Sequence, residues 1–137
     1  MRFRSLFTGF SLCASLVACS AGGAGDEQGD GRNSAPLSGD AERGRELADS
    51  SSCTSCHQAD YGGAGFFPNV TPDHQLGIGS WTDQQIKNAL INGIDDEGEA
   101  LCSLMERFPF SNQQVADLIA FLRALPPVAR QTQSECP

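Results

Sequence analysis

The sequence predicts a small all-α domain of about three main helices, and three observations carry that prediction. Three segments repeat apolar residues at three-to-four spacing, the period of an amphipathic helix. Between the first two, Tyr61 to Ser80 is rich in Gly and Pro and lacks strand-like alternation. Just ahead of that stretch stands the pentapeptide Cys53-Thr54-Ser55-Cys56-His57. A long irregular loop is uncommon in a compact domain unless it serves a site. A large bound group would supply the core that the loop lacks.

Taken from the start, Arg2 and Arg4 form a basic region ahead of an apolar run, Leu6 to Val17, which is too short to span a bilayer. The run closes on Leu16-Val17-Ala18-Cys19, which resembles the lipobox of bacterial lipoproteins. By that resemblance residues 1–18 are a lipoprotein signal peptide and Cys19 is the lipidated first residue. Several acyl chains on one residue would anchor stably, whereas a single chain binds membranes only marginally. The expected location is the periplasmic side of a bacterial membrane, with Ser20 resembling an outer-membrane sorting cue. The alternative is an ordinary signal peptide and a soluble periplasmic protein. Residues 19–38 then form a lipidated tether. From Ser20 to Ser38 the chain is mostly Gly, Ala, Ser and Asp, and such a coil reaches roughly 24 Å on average. Residues 39–137 are left for one folded domain.

The chain carries 9 basic and 17 acidic residues; without Arg2 and Arg4, 7 basic residues face 17 acidic ones, a net charge of −10. That balance argues against nucleic acid and anionic headgroups as partners, and for a docking partner that is basic or neutral at the contact.

The first helix is expected from about Asp40 to Asp49, with Ala41, Gly44, Leu47 and Ala48 on one face. Gly44 and Ala48 are small enough to let another helix cross closely. The pentapeptide follows, with the spacing that covalent haem c attachment requires. Each thiol of Cys53 and Cys56 adds to a porphyrin vinyl, and His57 becomes an axial ligand of the iron. A zinc site completed by His74 or Cys102 is one alternative, and a redox dithiol is another. The dithiol would need a βαβ setting that the pattern does not offer. The second helix starts at Trp81-Thr82-Asp83, where Thr82 and Gln85 form a capping box, and stops at Gly93. The third starts at Ser111 with Gln114 three residues on; Val115, Leu118, Ile119, Leu122 and Leu125 line it, and Pro126-Pro127 ends it.

Beyond the signal peptide Met105 is the one methionine, in the loop from Leu101 to Pro109. Its thioether is the expected second axial ligand, with His74 as the rival. Of six cysteines, Cys13 lies in the signal peptide, Cys19 takes lipid, and Cys53 and Cys56 take haem. Cys102 and Cys136 remain, an even pair in an oxidising compartment, so a Cys102–Cys136 disulfide is expected.

Together these residues make Gly39 to Val128 resemble a class I-type c-type cytochrome domain. The segments Arg43–Ala48, Pro68–Asp73, Gly77–Trp81 and Phe121–Pro127 are similar to the cytochrome domains of the multihaem subunit of membrane-bound alcohol and aldehyde dehydrogenases. The resemblance implies the small cytochrome c fold, with its first and last helices crossing at Gly44. It also implies that the Pro68 carbonyl accepts a hydrogen bond from His57, and that Asn69, Thr71 and Trp81 lie near the haem propionates. Two features depart from the family pattern. Glu106 follows Met105 where Pro is common, and there is one haem motif, not three. The expected function is therefore single-electron transfer by one haem c. The partners would be a dehydrogenase, an oxidase or another cytochrome. The protein itself would supply no catalytic residue. Ala59, Tyr61, Phe66, Phe67 and the Met105 loop are expected around the exposed haem edge. If Met105 does not ligate, a peroxidase or gas-binding protein with an open sixth position is the alternative.

Overall fold

The computed structural model describes residues 37–133 and Cys136. The expected signal peptide at 1–18, the lipidation site Cys19 and the tether up to residue 36 lie outside the described residues. Four helices follow in order: α1 (Ala41–Ser50), α2 (Thr54–His57), α3 (Asp83–Asn92) and α4 (Asn112–Ala124). Among the described residues no β-strand forms. Single antiparallel bridges, Ala64 with Phe67 and Ile94 with Ala100, close two loops.

Each long helix begins where a side chain can satisfy its free amides. Asp40 caps α1 by accepting from the N–H groups of Glu42 and Arg43, each at 3.0 Å. Thr82 and Gln85 form a reciprocal capping box on α3, and Ser111 and Gln114 form another on α4. Gly93 ends α3 in the left-handed conformation. α2 is a single turn inside the pentapeptide, too short to show any periodicity in sequence.

α1 packs along α4, and the contact is close enough to require glycine. A Cβ at Gly44 would land on the Asp117 carbonyl and on the Phe121 side chain. Ala48, fully buried, continues the same face. Around this crossing the core gathers Ile86 and Leu90 of α3, Val115, Leu118, Ile119, Phe121 and Leu122 of α4, and Ile78 and Tyr61 from the long loop. The sequence pattern missed Phe121 and placed Tyr61 at an exposed edge. In the structure Tyr61 is buried and meets Phe121 edge-to-face, ring centres 5.3 Å apart. The phenyl face of α4 gives that ring more apolar contact than the surface does.

A polar lock sits at one end of the crossing. Asp117 accepts from Arg43 on both oxygens at 2.9 Å, and from the Asp40 N–H at 2.8 Å and the Gln113 amide at 2.9 Å on Oδ1. The Asp117 side chain is only 6% exposed, so four hydrogen bonds from three residues stand in for water. Arg123 similarly ties α4 to the start of α3, donating to the Ile78 and Trp81 carbonyls and pairing with Asp83. Replacing Asp117 with alanine removes all four bonds to its carboxylate and leaves the Asp40 N–H without its acceptor, and the expected loss is about 1–3 kcal/mol in chemical denaturation.

Arg43 holds the Asp117 carboxyl down to about 2 from an ordinary 3.8, and Arg130 does the same for Asp60. Both groups bind protons more weakly folded than unfolded. Their stabilisation is complete above about pH 4 and is lost as the pH falls toward 2. Acid titration followed by circular dichroism checks this. The Asp117→Ala variant loses part of that acid-dependent step, and a full step in that variant rules the account out.

Candidate functional site

A cavity of about 520 Å³ opens between the long loop, α3 and the loop before α4. Its size is within the roughly 300–1,000 Å³ typical of cofactor and ligand sites. Cys56, His57, Phe66, Phe67, Pro68 and Asn69 line it from the long loop and α2. Ile78, Trp81, Ile86 and Leu90 line it from α3 and the residues before it, and Leu122 from α4. Leu101, Cys102, Leu104 and Met105 complete it from the loop between α3 and α4.

The α2 turn explains why the pentapeptide works as a unit. Residues three and four apart in a helix share a face. Cys53 is helical in backbone, and its carbonyl accepts from Cys56 at 3.3 Å and from His57 at 3.0 Å. Both thiols and the imidazole are thereby grouped on one side of the turn. Cys56 and His57 line the cavity, while Cys53 is half-buried and packs against the core.

His57 is held from behind. Its Nδ1 donates to the Pro68 carbonyl at 2.8 Å, and the ring is only 7% exposed. That bond fixes the tautomer in which Nε2 carries the free lone pair, the arrangement a metal-binding histidine needs. Nε2 has no hydrogen bond among the described residues. Burial pushes the imidazole below its ordinary value, with the Pro68 carbonyl opposing, which favours the neutral, ligating form. Gly63 makes the arrangement possible. Its N–H donates to the His57 carbonyl at 3.0 Å, its φ is +69°, and a side chain there would strike the Pro68 carbonyl.

Met105 lines the same cavity, and its carbonyl accepts from the Arg107 guanidinium. His74 is exposed and lies outside the lining, in an Asp73-capped turn that faces solvent. Asn69 and Trp81 line the cavity, but Thr71 does not. Thr71 is fully buried behind Asn69; its hydroxyl donates to Asn69 Oδ1 at 2.7 Å and accepts from the Val128 N–H at 3.1 Å. Its role is thus to orient Asn69, because both hydroxyl partners are protein groups. Cys102 and Cys136 form a disulfide with Cα atoms 5.7 Å apart. Pattern reading missed Arg107, and it missed the segment after α4, whose Gln131, Thr132 and Gln133 also line the cavity. Neither carries a period or motif. The lone guanidinium two residues after Met105 was the available signal.

These residues fit a covalent haem: two thiols and an oriented imidazole on one helical face, an apolar cavity beside them, and a thioether in its wall. They fit the alternatives poorly. Among the described residues no three His, Cys, Asp or Glu side chains gather to hold a metal ion, which leaves zinc without a donor set. Burial pushes the Cys53 thiol up, whereas redox-active dithiols depend on a lowered value.

Comparison with known proteins agrees. Residues 41–126 match the sequence model of the family described as Cytochrome c. The chain is 33% identical to a diheme cytochrome c-type protein of Cereibacter sphaeroides, over 70% of this chain and 40% of that protein. It is 31% identical to one of the subunits of the nicotinate dehydrogenase of Pseudomonas putida, over 66% of this chain and 9% of that subunit. It is 29% identical to the cytochrome c subunit of the quinone alcohol dehydrogenase of Gluconobacter oxydans, over 68% of this chain and 23% of the subunit. The chain therefore spans well under half the length of each of these relatives.

Proposed function

The chain belongs to the cytochrome c family, and we propose that it is a lipid-anchored member with a single haem c that passes electrons one at a time between redox proteins. The observation that carries this reading is the meeting of Cys56, His57 and Met105 in one apolar cavity. When bound, haem c supplies a reversible one-electron iron couple. Cys53 and Cys56 would hold the group through thioethers, and His57 would ligate through Nε2 while Pro68 keeps its ring in place. Met105 would supply the second protein ligand, and a thioether there would raise the reduction potential. Ile78, Ile86, Leu90 and Leu122 keep water from the cavity floor. Electron transfer asks for no protein acid, base or nucleophile.

Residues 1–18 act as a lipoprotein signal, Cys19 carries the lipid, and the tether to residue 38 holds the domain 39–137 off the periplasmic face of the membrane. Two of the relatives are dehydrogenase subunits, so a dehydrogenase is the favoured electron donor. An oxidase or a further cytochrome would then accept. The partner's contact face is basic or neutral, to suit an acidic chain, and the encounter is small and brief.

The test is expression with haem-attachment machinery, followed by fractionation and visible spectra. The expected product sits in the membrane fraction, moves to the soluble fraction in Cys19→Ser, and carries one haem per chain. Its oxidised spectrum is low-spin with the red-edge charge-transfer band of a Met–Fe(III) bond. A high-spin spectrum that shifts readily with carbon monoxide would instead favour a peroxidase or gas-binding role.

A further inference from the structure

The segment following α4 is fastened to the loop that carries Pro68 and then joined covalently to the loop that carries Met105. Asn69 donates to the Val128 carbonyl at 2.6 Å, and Arg130 pairs with Asp60 at 2.6 Å and donates to the Gly63 carbonyl at 3.0 Å. The Gln133 N–H donates to the Gly65 carbonyl at 2.6 Å. Cys136 then reaches the Cys102 sulfur, three residues ahead of Met105. The fastened segment and both joined cysteines line the cavity that His57 and Met105 share.

The Met105 loop packs Met105 against the core and Arg107 against Gly93 at its middle, but few bonds tie that middle down. Its ends are pinned, Leu101 N–H to the Gly93 carbonyl at 2.8 Å and Phe108 N–H to the Leu90 carbonyl at 3.2 Å. Between them, the Met105 N–H donates to the Cys102 carbonyl at 3.0 Å and Arg107 donates to the Met105 carbonyl. Both bonds are internal to the loop. Among the described residues the disulfide is the one covalent or hydrogen-bonded link from its middle to another part of the chain.

We propose that the Cys102–Cys136 disulfide is a positioning element for Met105, keeping the sixth coordination position closed to outside ligands. This rests on the reading that Met105 ligates. A thioether is a weak, neutral ligand, so the freedom of the loop that bears it competes directly with the bond. Opening the disulfide takes two electrons and two protons from a dithiol, which leaves as its own disulfide, and yields two thiols. The loop then regains conformational freedom that the cross-link had removed. Met105 departs more often, and a small neutral molecule can take its place. Redox state at a bond remote from the thioethers thus sets whether the protein is a closed electron carrier or an open ligand-binding one.

Carbon monoxide binding to the ferrous protein, reduced with ascorbate so that the disulfide survives, is the measurement. It is made on the intact protein, on the same protein after treatment with dithiothreitol, and on the Cys102→Ser/Cys136→Ser variant. The dithiothreitol sample keeps the test sound if the variant fails to fold. The expected result is carbon monoxide binding roughly tenfold faster once the disulfide is gone, within the usual range of coupling between two sites. In the ferric form of the Cys102→Ser/Cys136→Ser variant, measured separately, the red-edge band weakens. Amide exchange speeds up over Leu104–Arg107, while far-UV dichroism stays unchanged. A band present in the intact protein, with binding rate and exchange unaffected by opening the disulfide, overturns this proposal alone. A band missing from the intact protein overturns both it and Met105 ligation.

Discussion

Met105→Ala is expected to abolish the red-edge charge-transfer band and lower the reduction potential by on the order of 0.1 V, a modest part of the roughly 0.8 V over which axial ligands set haem potentials. The direction follows from the thioether, which favours ferrous iron relative to more basic ligands. Alanine leaves the position to water or an added ligand. A high-spin ferric spectrum and ready binding of carbon monoxide should accompany the fall. His74 does not take over, since it is exposed and outside the lining. Cys102, the nearest alternative sulfur, is committed to the disulfide. His74→Ala should leave band and potential where they were. Redox titration with paired spectra decides the matter. An unchanged potential in Met105→Ala removes that residue from the coordination sphere.

Gly44→Val is expected to prevent folding altogether. The new side chain would have to share space with the Asp117 carbonyl and the Phe121 Cβ, so a backbone must move. Moving it pulls α1 from α4 and opens the Arg43–Asp117 lock at the same crossing. Overpacking a core usually costs about 1–3 kcal/mol. Here the loss of the lock and of the Ala48 contact is added to it, against a total stability of roughly 5–15 kcal/mol. Haem-bearing protein should fall to trace yield, and Gly44→Ala, whose Cβ meets the same Asp117 carbonyl, should be severely destabilised as well. A Gly44→Val protein as stable as the parent would mean that the two helices do not meet there.

How much of this was legible in the chain depends on how local the cause is. Thr82 with Gln85 and Ser111 with Gln114 act within one turn, so both helix starts stood out. Gly44 and Ala48 were visible as small residues at helical spacing. The grouping of Cys53, Cys56 and His57 is set by four residues of backbone, and it too was plain. Tyr61 was misplaced because its partner, Phe121, is sixty residues away and on a face that periodicity assigned to other side chains. Thr71 was placed near the haem propionates by family resemblance, and the structure buries it behind Asn69. Its hydroxyl is satisfied instead by Asn69 and by the Val128 N–H, a contact across 57 residues. The course of Val128–Gln133 rests on Asp60, Gly63 and Gly65, and no local pattern announces such pairings.

The crossing of α1 and α4 has a consequence for how such a unit can be used. The family match begins at Ala41, the first residue of α1, and ends two residues past Ala124, the last of α4. The helices that open and close the unit are therefore packed on each other, and Gln113 even reaches back to the Ser38 carbonyl at 3.1 Å. A unit whose first and last helices pack on each other closes its own core, and such a unit can stand within a longer polypeptide, or be copied in tandem, with its interior intact. That modularity suits relatives in which the matched portion is 40%, 23% or 9% of the whole. The glycine that lets the two helices touch is also what closes the unit on itself.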